Sequence, residues 1–565
     1  MPSSDAFRKY QEKKSAPKAP PPRPKHSALS VASGTARAAK DFHWVDANIP
    51  CQAACPAKTD IPGYLDAIAQ GDFAGAYRIN LRDNVFPAVL GRVCTRPCEP
   101  ACRHGWEGLG EPVAICFSKR SASDFQQRGE PVVLEKLFEP SGKSVAVVGA
   151  GAAGLATARE LALWGHAVTV YEKEPLPGGM MVQGIPEFRL PRAIVALEVE
   201  QIRCLGVDIR CGIEVGRTIS LDEIRSQHDA VVLAAGTALP AWPELPGSDA
   251  AGVEHGFAFL REVNAGRRTE IGARVVVMAD RDLSQARIAF QTRVNPVAIL
   301  AENGRVTGVR FVRTEAGAPG PDGRRAFRVI PGSDIEVPAD AVLLATGQRA
   351  DRSWMPEAWV AAIDRSAGGM VQVESGVFVV GDFAAGARSL IDAIADGRNG
   401  ARAVDAHLVG RNRFEDVVRI ESAEETGRTR EMDAWPRNPM PVLPVERRDR
   451  TAEVETGFDA EAAKKEAKRC YLCHFKYEIN NELCIYCDRC LKVKPVENCI
   501  VKVSSLIIDA RGRITGFNRS TGAKDYNLLY IDQSQCIRCG ACKDVCPVEC
   551  IDLQKVSRQT CAIQS

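Results

Sequence analysis

No apolar run in this chain approaches the roughly 18–20 residues that a membrane-spanning helix needs, so the sequence predicts no transmembrane segment. Its first residues lack the apolar core of a secretory signal. Net charge is missing too. The 73 Lys and Arg nearly balance 71 Asp and Glu, leaving +2 and no bulk attraction to nucleic acid or to an anionic surface. These absences predict a cytoplasmic protein with no nucleic-acid partner. At 565 residues the chain is long enough for several domains with their own cores.

Cysteine is what the chain has in excess. It carries 20, six of them from Cys51 to Cys116 and twelve from Cys470 to Cys561, with Cys204 and Cys211 between. A secreted disulfide scaffold would be short and carry a signal. Close-spaced cysteines in a long chain read instead as metal sites. Cys204 and Cys211 flank six residues, which does not match the short spacing of a redox disulfide, and read as ordinary thiols.

Composition divides the chain. Residues 1–40 hold nine Lys and Arg against Asp5 and Glu12, with Pro20-Pro21-Pro22. They read as a disordered basic tail, either a solvated extension or a docking arm for an acidic partner. Residues 41–138 read as a helical domain interrupted by Cys. From Ser144 to about Leu408 apolar strands alternate with helices, the pattern of an α/β fold. Residues 411–475 read as a charged, proline-containing surface linker. It ends in a helix, "FDAEAAKKEAKRC", with Asp459 and Glu461 near its start and Lys and Arg near its end, as the helix dipole favours. Residues 476–565 are short-patterned, Cys-rich and repeated.

Gly149-Ala150-Gly151-Ala152-Ala153-Gly154 fits G-x-G-x-x-G. The strand Val145–Val148 precedes it, a helix follows, and a second strand ends in Glu172. Gly149, Gly151 and Gly154 allow the tight turn and let the backbone approach a pyrophosphate at the helix N-terminus. Glu172 is placed to accept ribose hydroxyls, which disfavours a 2′-phosphate. Further on, "DAVVLAAGT" (229–237, with Gly236) and "DAVLLATGQ" (340–348) read as a pair of strands ending in small residues. "GVFVVGDFAAGARSLIDAIADGRNGA" sets Gly381 and Asp382 between a strand and a helix.

Together with "PGGMMVQGIPEFRLP" (177–191), these stretches resemble the two-dinucleotide-domain flavoproteins. The resemblance is to the glutamate synthase small subunits and the matching half of dihydropyrimidine dehydrogenases, from about residue 45 to 475. It implies FAD as cofactor. Asp382 matches the acid at its ribityl–pyrophosphate region, Gly236 and Gly381 join the binding set, and Gly178, Gly179, Ile185 and Arg189 lie along the flavin. It also implies a second G-x-G-x-x-G for NADPH after the strand matching Val275–Met278. Here Ala279-Asp280-Arg281-Asp282 follows instead, and "QTRVNPVAILAENGRVTGVRF" already resembles the strands that return to the FAD domain. A βαβ unit needs about 30 residues, so the NADPH unit is largely missing. The expectation is a FAD domain at 139–270 and 340–410, with 271–339 a remnant of the NAD(P)H domain.

"CQAACPAKTD" and "CTRPCEPACRHG" supply Cys51, Cys55, Cys94, Cys98 and Cys102, thiolates spaced to converge on [4Fe-4S] cubes. By the resemblance, Cys55, Cys94 and Cys98 match one cluster, whose fourth ligand is not always Cys; Cys116 lies nearby. Cys51 and Cys102 match half of a second cluster, whose other C-x2-C pair is absent. An orphan pair, Cys470 and Cys473, stands at the end of the linker helix. Either it completes that cluster, or only one N-terminal cluster exists.

The C-terminal repeat is the strongest motif. "CIRCGACKDVCPVECI" is the bacterial ferredoxin run, with Cys536, Cys539, Cys542 and then Cys546 before Pro547. The first repeat, "CIYCDRCLKVKPVENCI", has Cys484, Cys487 and Cys490, but Lys494 stands where a fourth Cys is expected. Cys499 is expected to replace it. If it does not, one iron is left open, labile or bound by Lys494 or water. The role of its counterpart, Cys550, stays open. "LIIDARGRITGF" between the repeats reads as a hairpin turning at Gly512.

The expected fold class is therefore multidomain α/β. A helical N-terminal Fe-S domain leads to a Rossmann-like FAD domain with a truncated second nucleotide domain, then a C-terminal α+β ferredoxin domain. With FAD and three or four [4Fe-4S] clusters, the expected function is an iron–sulfur flavoprotein subunit. It relays electrons to or from a partner subunit or ferredoxin, with NAD(P)H oxidised, if at all, through the partner. Two alternatives stand beside it: a self-sufficient NAD(P)H-dependent oxidoreductase, and a non-catalytic electron-transfer or assembly subunit. No nucleophile–base pair or acid/base dyad is evident.

Overall fold

Proline and aspartate write the helix starts of the N-terminal domain. Asp41, Asp60 and Asp72 cap the helices Phe42–Asn48, Ile61–Ala69 and Phe73–Asn84, their carboxylates accepting from the N–H groups of Trp44, Gly63 and Gly75 at 3.0, 3.0 and 2.7 Å. Pro50, Pro62 and Pro87 occupy first-turn positions, where the missing N–H costs nothing. The computed structural model describes residues 41–106, 110–126, 132–268, 270–279, 291–319, 325–522, 525–526 and 528–563. The basic tail and the turn after Ala279 lie outside the described residues.

The α/β domain is built on a six-stranded sheet. Its order is Met370–Glu374, Val377–Val380, Ala230–Leu233, Ser144–Val148, Ala167–Glu172, Asp208–Cys211, parallel except for the first pair. The helix Ala152–Leu163 is buried along its whole length. Small residues allow this: a Cβ on Gly397, in the helix Leu390–Val409, would lie 2.3 Å from Ala153 O. Glycine thus sets the helix spacing.

A second sheet holds Val253–His255, Ala341–Ala345 and Val275–Ala279 in that order, all parallel. Three antiparallel strands follow the last of these: Val294–Glu302, Arg305–Pro319 and Arg325–Pro338. This corrects two expectations. Ala230–Leu233 and Ala341–Ala345 are not neighbours; each lies in its own sheet. The segments just beyond them meet in a two-residue ladder, Leu239–Pro240 against Gln348–Arg349. Val253–His255 and the helix Gly256–Asn264 also pack with the second sheet rather than with the FAD sheet.

The linker differs as well. Phe414–Ser422 is a strand, paired antiparallel with the last strand of the chain, Ile551–Ala562, whose inner half also pairs with Phe475–Ile479. The proline run that suggested a plain linker begins only after it. The helix Ala460–Lys468 forms as expected, with Asp459 accepting from Ala462 N at 2.7 Å. The hairpin forms between Ile500–Ile508 and Ile514–Arg519, with Gly512 at φ +75°.

The helical domain docks on the α/β domain through a buried carboxylate. Glu198 accepts from Ala88 N at 2.8 Å and Val89 N at 3.1 Å, at the start of the helix Pro87–Val93. Burial pushes this carboxyl up to about 8 against the two N–H bonds. A raised acid adds stability while protonated and loses it as pH rises through the folded value. The melting temperature of the protein is therefore expected to fall from about pH 4.5 to about pH 8. Glu198→Gln should flatten that slope in a pH series of thermal melts; an unchanged slope would clear Glu198 of the effect.

Candidate functional site

The glycine turn has the geometry the sequence implies. Gly149 takes φ +104°, and a Cβ on Gly154 would lie 2.0 Å from Gly149 O. A Cβ on Gly151, by contrast, would meet nothing within 4 Å. The turn therefore presents open space at the N-terminus of the helix Ala152–Leu163, where a pyrophosphate fits. Glu172 clamps this turn: Oε2 accepts from Ala150 N at 2.7 Å and Oε1 from Glu174 N at 2.9 Å. Burial pushes its carboxyl up against those bonds.

Around the turn, Gly178 and Gly179 have φ of +126° and +52°, and a Cβ on Gly179 would lie 2.9 Å from Gly151 Cα. Gly381 has φ +67°, and its Cβ would strike that of Ala153 at 2.5 Å. Asp382 opens the next short helix, with burial raising it to about 6. Gly236, at φ +68°, faces open space. Ile185 is half-buried against the core, and Arg189 pairs with Glu455 of the linker at 3.3 Å. The structure thus gathers Gly149, Gly151, Gly154, Glu172, Gly178, Gly179 and Gly381 about one turn.

All the thiols but Cys204, Cys211 and Cys561 fall into four groups. Cys51, Cys102, Cys470 and Cys473 line one hollow with Leu65, Arg103 and Tyr471. The orphan pair and the unmatched N-terminal pair therefore meet. Cys484, Cys487, Cys490 and Cys546, with Cys550, line a second hollow. Cys499, Cys536, Cys539 and Cys542 line a third. Lys494 is at its wall, but its Nζ donates to Ile500 O at 2.9 Å. In the fourth group Cys94 is hydrogen-bonded to Cys116, which also bonds Cys98, and Cys55 is close to both Tyr64 and Lys119. Among the described residues no three His, Cys, Asp or Glu side chains could hold a single metal ion. The thiols ring hollows instead of converging on a point, as a cluster with one thiolate per iron requires.

One turn recurs. Leu472, Tyr486 and Arg538 each precede the second Cys of a C-x2-C pair with φ of +49°, +55° and +58°. Arg96, between Cys94 and Cys98, has φ +61°. The N–H groups of Leu472, Tyr486 and Arg96 donate to the sulfurs of Cys470, Cys484 and Cys94, each at 3.4 Å. Left-handed non-glycine residues are strained by about 1–3 kcal/mol and cluster at functional sites. The orphan pair thus has the same local fold as the first pair of the ferredoxin repeat.

Buried cations stand among the thiols, and sequence reasoning missed them. Arg103 Nη1 donates to Gln533 O at 2.7 Å and Nη2 to Ala47 O at 3.4 Å, while Arg538 donates to Phe475 O at 3.0 Å and Gln533 O at 2.9 Å. Arg103 Nε and Arg538 Nη2 have no partner. Burial and the charge of Arg538 lower Arg103 to about 10, while Cys473, Cys536 and Cys51 oppose the shift. Lys119 is buried too; burial would lower it, but Cys116, Cys94, Cys55 and Cys98 together raise it. Only the position of Lys119, one helical turn after Cys116, was a signal in the sequence.

The flavin turn yields a paired prediction. Gly154→Ala forces a carbon against Gly149 O and should destabilise the domain by about 1–3 kcal/mol. Gly151→Ala fills open space, so it should leave the melting temperature near wild type yet lower the flavin-to-protein absorbance ratio severalfold. Equal flavin retention in both variants would move the pyrophosphate away from this turn.

Family profiles match three parts of the chain: dihydropyrimidine dehydrogenase domain II, 4Fe-4S cluster, at residues 44–130; pyridine nucleotide-disulphide oxidoreductase at 143–278; and 4Fe-4S binding domain at 529–552. The NADP(+)-dependent formate dehydrogenase subunit beta of Moorella thermoacetica is 32% identical over 514 residues, covering 75% of this chain and 70% of that protein. The NADPH-Fe(3+) oxidoreductase subunit beta of Geobacter sulfurreducens is 34% identical, covering 58% of this chain and 55% of that one. The glutamate synthase [NADPH] small chain of Mycobacterium tuberculosis is 33% identical, covering 65% and 87%. With helical Fe-S, flavin and ferredoxin parts in that order, the chain belongs to the glutamate synthase small-chain family of FAD- and [4Fe-4S]-containing oxidoreductases.

Proposed function

We propose that this chain is the electron-relay subunit of a larger redox assembly, connecting FAD to a partner subunit or ferredoxin through four [4Fe-4S] clusters. The observation that carries the reading is the set of buried cations. Arg103, Arg538 and Lys119 lie in the interior, and among the described residues none forms an ion pair with a carboxylate. An isolated buried charge costs several kcal/mol even after relaxation. Anionic thiolate-ligated clusters would supply the missing counter-charge. Bound in this chain, flavin handles electron pairs and the clusters pass single electrons.

The protein's own residues give the groups an order. Glu455 accepts from Arg189, in the segment that the resemblance lays along the flavin, and is 4.0 Å from Arg96, between Cys94 and Cys98. Tyr64, its phenol pushed up by burial and then by Cys98, Cys116, Cys51 and Cys55, has both the Cys94 group and the Cys51 hollow as neighbours. Arg103 links the Cys51 hollow to that of Cys536, since it lines the first and donates to Gln533 O, three residues before Cys536. Cys542, in the Cys499 hollow, also has Cys490 of the Cys484 hollow among its electrostatic neighbours, so these two hollows adjoin. The row runs from the flavin side to the Cys484 hollow. Cys470 and Cys473 are assigned as ligands with Cys51 and Cys102, on their shared hollow and the recurring turn.

The partner is inferred from what the second sheet offers. After Val275–Ala279 the next described strand begins at Val294, too few residues for a βαβ unit of about 30. Two of the relatives are named as beta subunits, which supports a partner that supplies or accepts the electrons. The free thiols fit a reducing, cytoplasmic setting. A second reading, direct use of NADPH, is favoured by one observation: the names of these relatives carry NADP or NADPH.

Two measurements test the reading. In anaerobic solution without a partner, NADH or NADPH should leave the flavin absorbance unbleached over minutes, whereas dithionite bleaches it; rapid bleaching by NADPH establishes the second reading instead. Cys470→Ser with Cys473→Ser should lower iron per protein by about a quarter, one cluster in four. Unchanged iron would remove the second cluster from the row.

A further inference from the structure

The hollow at the far end of the row holds five thiols, where a cube of four irons takes four. Cys484, Cys487 and Cys490 come from the first repeat, and Cys546 and Cys550 both reach in from the second. Cys546 Sγ and Cys550 Sγ are 3.5 Å apart, far beyond a disulfide bond of about 2.05 Å. The Cys550 N–H donates to Cys546 Sγ at 3.4 Å. Cys550 is buried while Cys546 is half-buried, and the Cys550 thiol is also hydrogen-bonded to Cys484.

The other repeat indicates what Cys550 can do. Lys494-Pro495-Val496-Glu497-Asn498-Cys499-Ile500 corresponds to Cys546-Pro547-Val548-Glu549-Cys550-Ile551. Cys499 immediately precedes the strand Ile500–Ile508, and Cys550 the strand Ile551–Ala562. With lysine ahead of its proline, the first repeat sends Cys499 into the neighbouring hollow with Cys536, Cys539 and Cys542. The position before the strand can therefore reach a cluster hollow. In the second repeat the thiol before the proline and the thiol before the strand are both present and both reach the same hollow.

We propose that Cys550 is an alternative fourth ligand to the cluster of Cys484, Cys487 and Cys490, exchanging with Cys546, so that either thiolate alone keeps the cube complete. This rests on the cluster reading of the hollow given above. In the exchange one iron–thiolate bond breaks as the other forms. The entering thiol gives up its proton and the departing thiolate takes one up. No oxidation state changes, so no oxidant or reductant is needed. The 3.5 Å between the two sulfurs lets the exchange proceed without moving the backbone. The outermost cluster, beside the exposed Leu483 and Val548, then has a ligand in reserve that the Cys499 hollow lacks.

The test uses the full chain purified anaerobically, with Cys546→Ala, Cys550→Ala, the double variant, and Cys499→Ala as reference. Iron per protein and the [3Fe-4S] electron paramagnetic resonance signal after oxidation are read on each. The two single variants should keep wild-type iron and give no [3Fe-4S] signal. The double variant should lose one iron per molecule and gain the signal, as Cys499→Ala should on its own. A [3Fe-4S] signal or iron loss in Cys546→Ala alone overturns the proposal, and so does a double variant that keeps its iron. Flavin absorbance on the same samples separates ligand loss from unfolding; a variant that loses flavin is replaced by its Cys→Ser counterpart. Absence of [4Fe-4S] iron from the unmutated chain is a different result, which removes the cluster reading itself.

Discussion

One buried ion pair, Glu466 with Arg469, anchors the segment before the C-terminal domain to the N-terminal domain. Both side chains are essentially inaccessible, and Arg469 Nη1 donates to Glu466 Oε1 at 2.7 Å. Each also grips the other domains. Glu466 accepts from Ala114 N at 2.7 Å and Asn438 N at 2.8 Å, while Arg469 donates to Glu111 O at 2.8 Å and Trp435 O at 3.0 Å. Breaking such a pair leaves an uncompensated charge in the interior, at about 3–5 kcal/mol. The pair fixes the C-terminal end of the helix Ala460–Lys468, whose cap, Arg469, is followed by Cys470. This lock therefore helps to bring Cys470 and Cys473 to Cys51 and Cys102 from opposite ends of the sequence. A second clamp strengthens it: Arg92 and Arg120 share Asp124 and Glu453, drawing the linker against the helical domain.

Charge then decides which state of the thiol groups is stable. Burial raises Cys51, with Cys473, Cys102 and Cys470 adding to the shift, and raises Cys499 to about 12. Without a bound metal Cys51 and Cys499 therefore stay protonated at neutral pH. Arg103, Arg538 and Lys119 are then left without a carboxylate counter-charge among the described residues. Binding a cluster requires thiolates and releases protons, and it sets anionic charge beside these cations. The same residues that destabilise the empty fold favour the loaded one. Cofactor binding and folding are thus coupled through specific side chains, and the cations also favour extra negative charge on clusters that accept an electron.

Much of this was legible in the sequence, for a physical reason that differs from part to part. The Gly149–Gly154 turn and the Cys536–Cys546 run are local: their residues act within one turn of chain, so spacing alone carries them. The placing of Cys499 beside Cys536, Cys539 and Cys542 was legible because the repeats align. The meeting of Cys470 and Cys473 with Cys51 and Cys102 was legible only as an unmatched half on each side. What the sequence hid is non-local. Nothing near Arg103 announces Gln533, and nothing near Phe414 announces Thr560. The strand Phe414–Ser422 exists because the chain's last strand lies beside it, with Asp416 accepting from Arg402 at 3.2 Å and from Arg558 at 3.0 Å. Its half-exposed pattern gave little sign of that pairing.

The second sheet persists because of its connections rather than its size. Ala341–Ala345 is its middle strand, paired on both sides, and the chain leaving it makes the ladder of Gln348–Arg349 with Leu239–Pro240. His255, at the end of one neighbour, is 3.0 Å from Gly347 O through Nε2 and fixes that exit. Beyond it, Arg352 donates to Phe383 O at 2.8 Å, in the short helix that Asp382 opens. The three strands therefore return the chain to the flavin turn and brace Asp382. Val275–Ala279 provides the outer edge against which Ala341–Ala345 is paired. Losing this strand would leave the middle strand with one neighbour and loosen the path back to Asp382. Val275–Ala279 thus has a mechanical part in the flavin domain, as the edge that holds Ala341–Ala345 in place.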